Sequence, residues 1–234
     1  MIEPGLAPGE VPLALARLHR ATPVGEAIRL ALDPVGWDRD RLRDVLVGGG
    51  CTDVGVQRRG GRWHVRGIRA RTLADTVGSG MRVLVCGLNP SVFSADAGIG
   101  FARPGNRFWP VALDAGLVTV DRDPVAALVD HGVGMTDLVK RATPRADALR
   151  PDEYRDGLAR VDRLLAWLTP GVVVFVGLAG WRSAVDRRAV AGPQGERHGV
   201  PVYVMPSTSG LNARTPPAEL AAHLRAAVDL VPRR

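Results

Sequence analysis

Two continuous apolar runs constrain the fold more than any other feature of this sequence. Residues 82–88 and 171–177 are short, mainly apolar and rich in valine. Neither run alternates apolar with polar residues, a pattern that is typical of parallel strands buried on both faces. A third run, at 200–204, has the same character. These three runs therefore predict a parallel sheet that is covered on both sides.

Helical patterns alternate with these strands in the second part of the chain. We predict helices at residues 107–115, 124–130, 151–168, 178–187 and 217–231. Because alternating strands and helices join through right-handed crossovers, the predicted fold class is α/β: a three-layer α/β/α sandwich with a short, mainly parallel sheet. In such sheets ligands bind beyond the carboxyl ends of the strands. We therefore expect the chemistry in the loops after residues 88, 177 and 204.

The first 78 residues differ and form a predicted small N-terminal α+β extension to a domain at 79–234. Helix-like segments at 24–32 and 39–47 precede basic segments at 54–58 and 62–66, which a glycine-rich turn joins. Helix, helix, hairpin is the outline of a winged-helix-like module, although a purely structural extension fits the same pattern. Six arginines between Arg58 and Arg71 are compatible with a contact to DNA.

Composition bounds the function without defining it. The chain has 31 basic and 24 acidic residues and a formal net charge of +7, which favours a polyanionic partner. Arginine outnumbers lysine thirty to one, however, and a GC-rich genome produces the same bias in an ordinary soluble enzyme. Two cysteines exclude a disulfide framework, and the five histidines lack metal-ligand spacing. We expect a cytoplasmic, nucleoid-associated monomer with no cofactor, no metal and no membrane segment.

The loop after the first predicted strand contains two residues with chemical potential. Asn89 can hold a water molecule through its amide but cannot take a proton, because neither amide atom is basic. An asparagine before a proline is also a common structural cap. Phe101 lies among glycines and small residues, where a ring can stack on a base, whereas Phe108 and Trp109 begin a predicted helix and are expected in the core.

The loop after the third predicted strand is rich in hydroxyl groups. Ser207, Thr208 and Ser209 offer hydroxyls and backbone amides to phosphate oxygens. Leu211 follows a glycine and forms an apolar tip of the kind that wedges into a base stack. Taken alone, this segment has the composition of an ordinary loop. Its combination with Asn89 and Phe101 is what indicates a functional site.

Together these segments resemble the mismatch-specific uracil/thymine DNA glycosylases. The resemblance covers about residues 79–234, in the family's order and spacing, and rests on Gly87-Leu88-Asn89-Pro90, Phe101-Ala102-Arg103-Pro104-Gly105-Asn106-Arg107-Phe108-Trp109, Gly134-Met135-Thr136-Asp137-Leu138-Val139 and Met205-Pro206-Ser207-Thr208-Ser209-Gly210-Leu211. It implies a uracil-DNA-glycosylase-like fold that binds double-stranded DNA with a mismatched or damaged base. It also implies hydrolysis of the N-glycosidic bond of a flipped-out uracil or thymine in base excision repair, without metal or cofactor.

The resemblance also implies roles for individual residues. Asn89 corresponds to the asparagine that positions the attacking water, and Thr143 to a threonine that helps hold it. Phe101 corresponds to the aromatic that stacks on the base, and Ser94 to a residue at the C5 edge of that base. Ser207 and Ser209 match the phosphate-binding loop and Leu211 the residue that fills the gap left by flipping. The predicted DNA-binding set is Ser207, Ser209, Gly210, Leu211, Asn212 and Arg214.

Two positions depart from or vary within the family pattern. Ser91 replaces the usual glycine after Asn-Pro and adds a side chain beside the base-binding pocket. Asp137 occupies a variable position, where a carboxylate can orient or deprotonate the water. The alternative is that Asp137 caps a turn or pairs with an arginine such as Arg141.

The single lysine bears on the reaction type. A glycosylase that also nicks the strand needs an amine nucleophile, and Lys140 is the only lysine. Its neighbours indicate a basic helix end or turn beside the DNA, so we predict a monofunctional enzyme that leaves an abasic strand. The alternative function is a non-catalytic DNA-binding protein on a glycosylase scaffold, in which Ser91 closes the pocket.

Overall fold

The computed structural model describes residues 6–33 and 35–232. In its N-terminal part the elements are α1 (Val11–Ala21), β1 (Ala27–Leu32), α2 (Arg39–Gly48), β2 (Cys51–Arg59) and β3 (Arg62–Arg69), after a 3-10 turn at Pro8–Glu10. The three strands form an antiparallel sheet in the order β1-β3-β2. Helices α1 and α2 cover one face of this sheet, where Leu15, Leu42 and Leu46 pack with Val56 and Trp63 in a core of their own.

The N-terminal sequence predictions are partly wrong. The predicted helix at 24–32 is strand β1, because its register against β3 places Ile28 and Leu32 on the covered face of the sheet. Ile28 and Leu32 are four residues apart, a spacing that places two side chains on one face of a helix and equally on one face of a strand. Helix α1 was not predicted. The helix at 39–47 and the basic hairpin are confirmed, and the boundary at residue 78 stays a prediction.

The second part contains a mainly parallel sheet between two layers of helices. Its strands are β4 (Val83–Gly87), β5 (Val133–Asp137), β6 (Val172–Val176), β7 (Gly192–Arg197) and β8 (Val200–Met205). Its helices are α3 (Val92–Ala97), α4 (Phe108–Asp114), α5 (Pro124–His131), α6 (Pro151–Leu168), α7 (Leu178–Ala184) and α8 (Pro217–Val228), with a 3-10 turn at Ala146–Ala148. Strands run in the order β5-β4-β6-β8-β7, parallel except for β7. The predicted α/β fold class is confirmed.

Apolar side chains fill both spaces between the sheet and its helices. On one side Phe108, Trp109 and Leu224 pack against the sheet, as predicted for the first two. On the other side Leu165 and Trp181 do so. In the described part of the chain, no helix is long and apolar enough to span a membrane.

Candidate functional site

The site lies where the adjacent parallel strands β4 and β5 end. Gly87 and Asp137 are register partners at the last position of this pair. Backbone hydrogen bonds then continue beyond the strands, from the amide of Leu138 to the carbonyl of Gly87 (2.8 Å) and from Thr143 to Pro90 (3.1 Å). The two loops that carry the predicted catalytic residues are therefore joined to each other along their length.

The orientation of the Asn89 amide is fixed by its neighbours. Its Nδ2 donates to Thr143 Oγ1 at 2.8 Å and to the carbonyl of Arg141 at 3.0 Å, with a further contact to the carbonyl of Pro90 at 3.2 Å. Within residues 6–33 and 35–232, no donor binds Oδ1. Because both amide protons are taken by protein acceptors, the side chain presents its oxygen as a free acceptor in a cavity that Asn89 lines.

Thr143 holds Asn89. Its hydroxyl is buried, accepts from Asn89 and donates to the carbonyl of Arg145 at 2.8 Å. The hydroxyl proton is thus committed to the protein. This threonine orients the asparagine that faces the cavity.

Asp137 combines burial with access to the same cavity. Burial raises the pKa of its carboxyl to about 6, against the opposing effect of Lys140, whose Nζ lies 3.8 Å from Oδ2. The carboxylate of Asp75 also raises this pKa and Arg160 lowers it. The predicted alternative partner, Arg141, instead binds Glu153 through Nε and Oε1 at 2.7 Å, so that pairing is wrong.

A buried charge network lies beneath Asp137. Asp75 is its centre and accepts hydrogen bonds from Lys140 Nζ (2.8 Å), Arg160 Nη1 (2.7 Å) and the Thr136 hydroxyl (2.7 Å). Burial by itself raises the pKa of Asp75, but the attraction of Arg160 and Lys140 outweighs it and the pKa is lowered. Arg160 also donates to the carbonyl of Asp137 at 2.7 Å. The network fixes the backbone from which Asp137 projects.

Lys140 is a member of this network, which corrects the sequence prediction. We expected a basic helix end or turn beside the DNA. The side chain is only 11% exposed, because its ammonium group is drawn inward by Asp75. Lys140 is therefore a partly buried structural cation.

Gly87 provides the space in which the site is built. A Cβ atom at Gly87 would lie 2.6 Å from Asp137 Oδ1 and 3.4 Å from Phe101 Cζ. The ring of Phe101 stacks on Phe108, with centroids 4.3 Å apart, and also lines the cavity. Phe101 has a left-handed backbone (φ 58°), which brings its ring over the end of β4. Sequence reasoning included Gly87 in a motif but missed its role.

Ser91 and Ser94 bind each other at the start of α3. Ser91 Oγ accepts from the backbone amide of Ser94 at 3.1 Å, so Ser91 is the N-cap of the helix. The two hydroxyls are 3.0 Å apart, and Ser94 is buried. The hydroxyl of Ser91 is therefore directed to its own helix, and a cavity of about 700 Å³ remains open beside it.

The loop after β8 closes another side of this cavity. Ser207 Oγ accepts from the amide of Ser209 and Ser209 Oγ from that of Leu211, which is 87% exposed at the tip. Asn212 Nδ2 donates to the carbonyl of Ser207 at 2.7 Å, so its amide shapes the loop. Arg214 is exposed.

Arg107 connects this loop to the loop that follows β4. Its guanidinium donates to the carbonyls of Asn212 (2.5 Å) and Thr215 (2.7 Å), and its amide donates to the carbonyl of Thr208 (2.9 Å). Gly210 packs directly against the backbone of Gly105, where a Cβ would meet the carbonyl oxygen at 2.8 Å. Sequence reasoning placed Arg107 in a motif but assigned it no function, because its partners lie about a hundred residues away.

The structure brings most predicted site residues to one cavity. Those that line it are Asn89, Ser91, Ser94, Phe101, Asp137, Thr143, Ser207, Ser209 and Leu211. Gly210, Asn212 and Arg214 belong to the same loop but do not line the cavity. Among the described residues, no group of three or more His, Cys, Asp or Glu side chains has the arrangement of a metal site. The arrangement suits a planar polar ligand that stacks on Phe101 while a water molecule is held by Asn89.

Comparison with known proteins identifies a protein family and similar solved structures. Residues 75–229 match the family model of the uracil DNA glycosylase superfamily. A solution NMR structure from Methanosarcina acetivorans, of a candidate uracil DNA glycosylase, shares 22% sequence identity with a TM-score of 0.47. That match covers 66% of this chain and 96% of the archaeal chain.

Proposed function

Because the chain belongs to the uracil DNA glycosylase superfamily, we propose that it is a monofunctional DNA glycosylase that removes uracil or thymine from mismatched duplex DNA. The observation that carries the proposal is the fixed amide of Asn89, whose free Oδ1 faces the same cavity as the carboxylate of Asp137. An acceptor that orients water next to a group that can take its proton is what hydrolysis requires.

The target base must leave the duplex before this site can act on it. Extrusion costs a few kcal/mol of stacking and pairing, and it costs least at a mismatch. We propose that Ser207, Ser209 and Arg214 bind the phosphates around the lesion, while Leu211 enters the gap left in the duplex. Gly210 lets the loop approach Gly105 closely, and Asn212 holds the shape of the loop.

Within the cavity, the extruded base stacks on the free face of Phe101, since Phe108 covers the other face. Ser91 and Ser94 lie at the edge of the base. We assign the donors that stabilise its developing negative charge to backbone amides near Ser91 and Phe101, because dipoles aimed at that charge are effective where water is excluded.

The hydrolysis step follows from the positions of Asn89 and Asp137. Asn89 Oδ1 accepts a hydrogen bond from the water, Asp137 takes the other water proton, and the water oxygen attacks the sugar C1′, where it keeps the proton that is hydrogen-bonded to Asn89. The bond between C1′ and the base nitrogen breaks, and its electron pair leaves with the base. Thr143 acts through Asn89 as a positioning residue.

The position of Lys140 supports a monofunctional reaction. Strand cleavage through a Schiff base needs an unprotonated amine that can reach C1′. The ammonium group of Lys140 is instead bound to Asp75. We therefore propose that the product is an intact strand with an abasic site.

A base-release assay tests the function directly. Labelled duplexes that carry uracil, thymine, hypoxanthine or ethenocytosine opposite guanine are incubated with the protein and analysed with and without alkali. We expect alkali-dependent cleavage of the uracil or thymine duplex and no adduct on borohydride reduction. Binding without base release from any duplex contradicts the proposal and favours the non-catalytic alternative.

A further inference from the structure

The N-terminal sheet has an exposed face that the catalytic site does not use. Its other face is covered by α1 and α2. The exposed face presents Arg29 and Ala31 from β1, Arg62, His64 and Arg66 from β3, and Gly55, Gln57 and Arg59 from β2. Four of these eight residues are arginines and none is acidic, and Asp33, which follows β1, pairs among the described residues only with Arg62, so the face carries a net positive charge.

Register places the arginines in rows across the strands. Arg29 and Gly55 are both register partners of Arg66, and Arg59 is the partner of Arg62. A Cβ atom at Gly55 would lie 3.0 Å from Arg66 Nε, so the guanidinium of Arg66 lies across the glycine. Arg29 and Arg66 are neighbours on the same face although like charges on paired strands repel.

Three of these four arginines have no acidic partner among the described residues. Within the described residues, Arg29, Arg59 and Arg66 make no ion pair, whereas Arg62 has one with Asp33 at 3.4 Å. A row of like charges without acidic partners costs folding free energy, and an external polyanion can offset that cost.

The segment that follows β3 contacts elements that border the catalytic site. Arg71, two residues beyond β3, binds both carboxylate oxygens of Asp96 on α3, the helix that begins beside the cavity. The next residue, Thr72, donates its hydroxyl proton to the carbonyl of Lys140. The eight residues of β3 extend roughly 25 Å from these contacts, a length that spans about seven base pairs of duplex.

We propose that this exposed face, defined by Arg29, Arg59, Arg62 and Arg66, is a second DNA contact surface that binds phosphates of the duplex flanking the extruded base. The inference rests on the proposed function, since that function supplies the DNA. It lies outside the family match, which begins at residue 75. The face carries no residue of the reaction, so it contributes affinity and salt dependence and leaves the rate of bond cleavage unchanged.

The test measures binding separately from base release. The protein in which Arg29→Ser and Arg66→Ser are combined is compared with the wild type by fluorescence anisotropy on unmodified duplex over a range of salt concentrations. Two lost phosphate contacts make the slope of log K against log salt shallower by about 2 and weaken binding about tenfold. The matched control combines Arg187→Ser with Arg188→Ser, two exposed arginines after α7 that make no ion pair within the described chain.

Charge retention provides the second variant. The combination of Arg29→Lys with Arg66→Lys keeps both positive charges and is expected to bind DNA nearly as well as the wild type. If the serine variant unfolds at a lower temperature than the wild type, the combination of Arg29→Gln and Arg66→Gln repeats the test with longer side chains.

Two results overturn the proposal. One is that the serine variant binds DNA as tightly as the control variant does. The other is that it loses single-turnover base release at saturating protein while its DNA binding is unchanged. If the wild type releases no base but the serine variant still binds DNA weakly, only the proposed function fails.

Discussion

Charged groups are arranged in opposite ways beneath the cavity and on the N-terminal sheet. Beneath the cavity, the buried Arg160 and the partly buried Lys140 are bound to Asp75. On the sheet, Arg29 and Arg66 are exposed and without acidic partners in the described chain. Buried paired charges fix geometry, since either partner left alone costs several kcal/mol. Exposed unpaired charges attract a polyanion over a distance that salt controls. The comparison separates residues expected to set the rate from residues expected to set the affinity.

The largest effect is expected from Asn89→Ala, which tests whether residues at the cavity set the rate of base release. Without Oδ1 the water loses its fixed acceptor, and single-turnover release of uracil should fall on the order of 10²–10³-fold, as for other single positioning groups. Duplex binding and its salt dependence should stay unchanged. Substitution of Arg29 and Arg66 should do the reverse, weakening binding while the rate of base release stays the same. Thr143→Ser, which keeps the hydroxyl that orients Asn89, is the control. Equal loss of binding and base release would show that Asn89 supports the loop and not the reaction.

Asp137→Asn tests whether the raised pKa near 6 belongs to the reaction. Burial favours the neutral acid, so the carboxylate forms only as the pH rises through about 6. Wild-type base release at saturating protein should therefore increase with pH up to this value and level off above it. The asparagine variant should lose this inflection and react about 10²-fold more slowly at pH 8, since a general base typically contributes 10²–10⁴-fold. An unchanged inflection in the variant assigns the titration to another group.

The sequence predicted the sheet of the second part better than it predicted the charge network. Continuous valine-rich runs leave few alternatives to buried parallel strands, so β4, β6 and β8 could be located. Strand β5 was missed because Gly134, Thr136 and Asp137 interrupt its apolar pattern. Asp75 gave no signal, since its partners Lys140 and Arg160 are 65 and 85 residues away. The role of Lys140 depends on its contact with Asp75, and the sequence alone does not show whether a lysine side chain points into the protein or toward solvent.

Arg160→Met tests the structural role of the buried charges. Removal of this guanidinium leaves Asp75 buried with one cation fewer, and breaking such a pair costs about 3–5 kcal/mol of unfolding free energy. The melting temperature should fall by roughly 10 °C for a chain of this size. Arg163→Met, on the same helix, removes a more exposed pair with Asp44 and should cost at most about 1 kcal/mol. Equal melting temperatures for the two variants would remove the distinction between buried and exposed charge on which the comparison depends.

Leu211→Ala is expected to have the smallest effect, and it concerns a residue that belongs to neither charge class. The side chain is 87% exposed, so its truncation removes little buried apolar surface and protein stability should not change. If Leu211 occupies the gap left by the extruded base, the variant should release uracil a few-fold more slowly from a duplex, because the base returns to the stack more often. Release from single-stranded DNA, where no gap forms, should be unaffected. Val190→Ala, which truncates another exposed apolar side chain, is the control and should behave as the wild type on both substrates. A loss of equal size on single-stranded DNA would mean that Leu211 contacts the substrate in some way other than filling the duplex, and it would leave the exposed arginines as the main source of duplex preference.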